Sequence, residues 1–167
     1  ITHTVRGAAK AVSNLAPRYL TVHASGGAAM IKAAVDASPK THVTGVTILT
    51  SLSEEDVCEI GYGKNALDSA VGLARIAVSA GAGAIVCSPL EIAAIRKAVG
   101  STPIIITPGV RPADSAAGDD QVRTMTPKGA ISTGANLVVI GRPITQSWSA
   151  GAEAMRDRAA QIASELI

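Results

Sequence analysis

Two runs, Thr102–Pro112 (TPIIITPGVRP) and Asn136–Thr145 (NLVVIGRPIT), decide the fold. Each is a short β-branched stretch that ends at a glycine with an arginine beside or just beyond it. Apolar on both sides, such a stretch reads as a strand of a parallel sheet covered by helices. The loop after each strand then carries one guanidinium, and two such loops on neighbouring strands can grip a phosphate dianion in the manner of a barrel enzyme's last two loops.

Working outward, short branched runs alternate with Ala-rich runs of helical period along the whole chain. The strands are expected at Tyr19–His23, His42–Leu49, Ala84–Cys87, Ile104–Thr107 and Leu137–Ile140. Helices are expected near Val5–Ala16, Gly27–Ala37, Ala66–Ala80, Leu90–Val99, Pro127–Thr133 and Ala152–Ile167, with a short turn at Ile144–Ser147. Ser88-Pro89 and Thr126-Pro127 carry helix-start chemistry, and Gly81, Gly100 and Gly134 fall where helices stop. Strand followed by helix, repeated, gives an α/β fold with a parallel sheet and right-handed crossovers. No GxGxxG follows the first strand, which favours a (β/α)8 TIM barrel over an open doubly wound sheet. Five units do not close such a barrel, which typically takes about 250 residues. The expectation is a single domain over residues 1–167 that supplies the last five units, with the chain cut before Ile1.

Composition narrows the function. Hydrophobic residues make up 47% and charged residues 17% of 167, enough for one well-filled core and too apolar for disorder. There is no Phe, Trp148 is the single Trp, and the net charge is +2 without a basic run, so stacking on bases and polyanion binding have little to use. No apolar stretch approaches the roughly 18 residues that span a bilayer, and no leader pattern precedes Val5, so the expected compartment is the cytoplasm. Cys58 and Cys87 read as buried, reduced thiols. Metal-ligand clusters, Walker loops and dinucleotide motifs are missing, so neither metal nor cofactor is expected.

Function in a barrel sits at the carboxyl ends of its strands. The first end, His23-Ala24-Ser25-Gly26-Gly27, suits a tight turn around a packed histidine better than a catalytic one. Thr47, Leu49, Thr50 and Ser51 at the second offer hydroxyls for a base or sugar. The long loop from Pro108 to Met125 has the length and composition of a lid, with Arg111 and Gln121 able to reach phosphate oxygens. Asp114, Asp119 and Asp120 would repel that dianion and are expected to face water. Gly141 and Arg142 complete the anion grip from the last strand. No strand end offers a lysine with carboxylate neighbours, so no proton donor for carbon chemistry is visible.

The blocks TVHASGGAAMIKAA, GVTILTSL, AIVCSPLEI, ITPGVRP, AGDDQVRTMTP and NLVVIGRPITQS resemble, in order and spacing, those of the orotidine 5'-phosphate decarboxylases. The resemblance implies a cofactor- and metal-free (β/α)8 carboxy-lyase, working as a homodimer, that converts orotidine 5'-phosphate (OMP) to UMP and CO2 in pyrimidine biosynthesis. Carried over by position, it places Thr50 near the pyrimidine and Arg111, Gln121, Gly141 and Arg142 around the phosphate. Thr4 matches a threonine that reaches the partner's ligand across the dimer interface. The family's catalytic Asp and Lys array ends in a DxKxxDIPNT block whose tail resembles Ile1-Thr2-His3-Thr4-Val5, with departures at Thr2 and His3. On that match no catalytic residue lies in this chain and all are expected N-terminal to Ile1. Two other readings stand beside it: a related sugar-phosphate decarboxylase or aldolase that uses a metal, and an inactive barrel piece that only binds nucleotide or self-associates.

Overall fold

A computed structural model describes residues 1–112, 114 and 124–166. Helix α1 (Thr2–Ser13) leads to strand β1 (Tyr19–His23), followed by α2 (Gly27–Ala37), β2 (His42–Val46), α3 (Glu54–Glu59) and α4 (Ala66–Ser79). Then come β3 (Ala84–Val86), α5 (Ile92–Val99), β4 (Ile104–Thr107), α6 (Pro127–Thr133), β5 (Leu137–Val138), α7 (Arg142–Thr145) and α8 (Ala152–Ser164). The strands form one sheet in the order β1-β2-β3-β4-β5, each parallel to the next. That monotonic order separates a barrel wall from a doubly wound sheet. Every crossover of one hand moves in one direction, so the helices gather on a single face.

The residues on that face explain how a core can be built almost without rings. Leu20 and Val22 on β1, Val43 and Gly45 on β2, Ile85 on β3 and Ile105 on β4 share it through the strand register. Against them pack Ile31 and Ala34 of α2, Ala70, Ala74 and Ala77 of α4, and Ile92 and Ile95 of α5, all buried. Alanine-lined helices lie close to the sheet, and Gly45 sets the closest approach: a Cβ there would stand 2.6 Å from the Cβ of Ala77. The opposite face carries Thr21, His23, Leu137 and Val139, all exposed.

Helix starts follow the local chemistry. Thr126 Oγ1 accepts from Gly129 N at 3.2 Å with Pro127 behind it, and Asn65 Oδ1 accepts from Asp68 N at 2.8 Å. Ser88 and Glu91 form a reciprocal cap that opens a 3-10 turn at Pro89–Glu91 ahead of α5. Gly134 ends α6 in the left-handed region at φ 118°, where a side chain would be strained.

The amino ends of β4 and β5 are fixed by one side chain. Arg96 at the end of α5 donates to the carbonyls of Gly134, Gly100, Ser101 and Pro103, the last at 2.7 Å, and to Asn136 Oδ1. Asn136 Oδ1 in turn accepts from Ile105 N at 2.8 Å.

Four expectations change. Strand β2 ends at Val46 rather than Leu49, and β5 at Val138 rather than Ile140. The ladder ends where the apolar run does not: Leu49 and Val139 are exposed. Helix α3 is an additional element, set by Ser53 at its N-cap and Asp56 returning to the Ser53 N–H at 2.7 Å. Cys58 lies on that helix and is exposed, so only Cys87 is buried as expected.

Candidate functional site

In a parallel sheet of this order every strand points its carboxyl end to the same side, and the loops leaving those ends share one mouth. Thr107 pairs with Val138, and Arg111 and Arg142 each stand four residues beyond that pair in the loops leaving the two strands. Val139 N donates to Thr107 O at 2.9 Å, carrying the pairing one step toward them.

The Arg111 segment is held at both ends of its loop. Val110 bridges Met125 in parallel, Arg111 N donates to Met125 O at 2.9 Å, and Val110 is fully buried. Gly109, at φ 73°, makes the turn that brings this pairing about. The Arg111 guanidinium donates from Nη1 to Val110 O at 2.9 Å, which folds the side chain back over its own backbone. Arg142 is exposed and opens α7, whose one turn is closed by Ile144 N and Thr145 N on Gly141 O at 2.9 and 3.0 Å. Proline at the second position of that turn fits a helix start.

Thr47 and Thr50 lead from β2 into the same mouth and are buried. Thr47 N and Oγ1 both donate to Val86 O, at 3.0 and 2.9 Å, so Thr47 is a spacer between strands. Thr4 stands on α1, which precedes β1 and packs on α2, and is exposed, with Oγ1 donating to Ile1 O at 3.0 Å. His23 is exposed rather than packed. It lines a groove of about 530 Å³ with Val5, Ala9, Leu20 and Met30. Gln121, Asp119 and Asp120, and with them most of the expected lid, lie outside the described residues.

Asp114 does not simply face water. Its carboxylate accepts from Arg158 Nη1 and Nη2 at 2.8 and 2.7 Å in a two-point pair, and Arg158 Nε donates to Pro143 O at 3.3 Å. The hydrogen bonds from Arg158 hold the Asp114 carboxyl below the usual carboxylate range, and the pair raises Arg158 in turn. Neither partner is visible to motif or period, because they are 44 residues apart. Among the described residues no cluster of three or more His, Cys, Asp or Glu could hold a metal, and no helix is long and apolar enough to cross a membrane.

One-way strand order, helices on one face and an arginine in the loop after each of the last two strands define a class: five consecutive units of a (β/α) barrel with a candidate anion site on the last two strands. The chain belongs to the orotidine 5'-phosphate decarboxylase / HUMPS family, whose model matches residues 1–156. It is 51% identical over 166 residues to an orotidine 5'-phosphate decarboxylase of Thermobifida fusca, covering 99% of this chain and 69% of that protein. To the Frankia casuarinae protein of the same name it is 48% identical over 154 residues, covering 92% of this chain and 56% of that one. The fold matches the crystal structure of orotidine 5'-phosphate decarboxylase from Lactobacillus acidophilus with a TM-score of 0.81 at 34% identity, over 99% of this chain and 70% of that one.

Proposed function

We propose that the protein is an orotidine 5'-phosphate decarboxylase, converting OMP to UMP and CO2, and that these residues supply its pyrimidine and phosphate contacts. Thr50 meets the pyrimidine, while Arg111, Gln121, Gly141 and Arg142 surround the phosphate. The observation that carries the reading is that the paired strands β4 and β5 each lead, four residues past a paired position, to an arginine, in a chain that belongs to this family. A phosphate dianion bound there is remote from the pyrimidine C6 where the carboxylate leaves. Its binding energy serves to orient the base and to offset the cost of excluding water around the reacting carbon. Loss of CO2 leaves an electron pair on C6 that a neighbouring cation must stabilise and then protonate. The family's lysine and aspartates do that work, and by the motif match they stand on strands before the block that Ile1–Val5 resembles. The activity is therefore proposed for a protein that includes those strands. Thr4, exposed on α1, fits a contact to a second copy's ligand, in a cytoplasmic homodimer.

The test follows the fall in OMP absorbance with the purified protein and with Arg142→Ala beside it. A charged hydrogen bond contributes about 1.5–3 kcal/mol, so kcat/KM should fall roughly 10- to 100-fold in the variant. Absence of both turnover and UMP binding in the parent would refute the proposal.

A further inference from the structure

Two loops deliver the anion-binding arginines, and Arg111 and Arg142 belong to different β/α units. Arg158, on α8, meets both units. Its Nη1 and Nη2 hold Asp114, three residues past Arg111, and its Nε holds the carbonyl of Pro143, the residue after Arg142. Nη1 also donates to Gln161 Oε1 at 2.9 Å, so every nitrogen of the guanidinium already has an acceptor. The side chain is 17% exposed, against 56% for Asp114. A guanidinium committed in this way, its charge offset by a carboxylate, is suited to hold neighbours in place rather than to bind an added anion.

We infer that Arg158 and Asp114 form a latch between the two phosphate-gripping loops, and that Arg158 is a positioning residue that sets Arg111 and Arg142 at a common distance from the dianion. The inference rests on the phosphate assignment above and adds two residues to it. It also accounts for a carboxylate so near a phosphate site. Neutralised by Arg158, Asp114 does not repel the ligand; stripped of Arg158, it would.

The experiment titrates UMP and uridine separately into the purified protein, and into Asp114→Asn, Arg158→Gln and the double variant. The phosphate is the sole difference between the two ligands, so their affinity ratio reads the grip alone. Partly exposed ion pairs are modest, so Asp114→Asn should weaken UMP about 3-fold and Arg158→Gln about 10-fold, since the latter also bares the carboxylate. Uridine affinity should be unchanged in both, and the double variant should be no worse than Arg158→Gln. Should Arg158→Gln fail to fold, Asp114→Asn at its exposed site carries the test. Unchanged UMP affinity in folded variants, even with a lowered melting temperature, would reduce the pair to a structural tie and overturn the latch. Equal weakening of UMP and uridine would overturn it too. A parent that binds UMP no tighter than uridine would instead sink the phosphate assignment, and the latch with it.

Discussion

Two glycines show how position decides what a single Cβ does. At Gly45 the added carbon would meet Ala77 of α4 at 2.6 Å, in a part of the core with no room to yield. Gly45→Ala should destabilise the protein by about 1–3 kcal/mol, the range for overpacking. At Gly72, in the interior of α4, a Cβ meets nothing within 4 Å, so Gly72→Ala should stabilise by about 0.5–1 kcal/mol through helix propensity and the unfolded chain's lost freedom. Urea unfolding of both variants checks the pair: the midpoints should move in opposite directions with the slope unchanged. Neither effect is legible in the sequence, where Gly45 is merely a small residue in an apolar run. The neighbour that gives it meaning lies on the next helix.

Among the elements, α3 shows most clearly how the reading falls short. Glu54–Glu59 is brief, acidic and buries only Val57, so it offers no apolar period to find. What makes it a helix is the reciprocal cap of Ser53 and Asp56, with Ser53 Oγ and N both on Asp56 Oδ2 at 2.7 Å. Those bonds hold the Asp56 carboxyl below the usual carboxylate range. A depressed folded-state pKa means that the cap's contribution is present above the unfolded value of about 3.9 and is lost as pH falls through the lower folded one. Thermal melts between about pH 5 and pH 2 should therefore show a smaller acid loss in Asp56→Asn than in the parent, the variant starting lower. Longer elements were open to sequence reading because repeated burial imposes a period: five strands and their covering helices stand where branched and Ala-rich runs place them. Strand ends were less so. Apolar residues continue past the strand ends at Val46 and at Val138, since a mouth loop can be hydrophobic without being sheet. As for the site, Arg111 and Arg142 were readable from their setting after strands, whereas the Arg158–Asp114 pair exists only once α8 is folded back.

For the molecule as a whole, the sheet order leaves β1 and β5 each with one edge that no other strand pairs among the described residues. An unpaired parallel edge offers a row of N–H and C=O groups to any other chain. Expressed as these 167 residues, the protein should associate as its concentration rises, and light scattering on a dilution series should report a falling mass. A constant monomer mass over that series would contradict the expectation.

Arg96 ties the entry of β4 and β5 to four carbonyls and an asparagine at the end of the sheet opposite Arg111 and Arg142. Because alignment of the two strands is anchored from beneath, sequence at the mouth can drift without the strands slipping past each other. Selection can then retune what the loops hold, trading one anion for another, while the scaffold under them stays put.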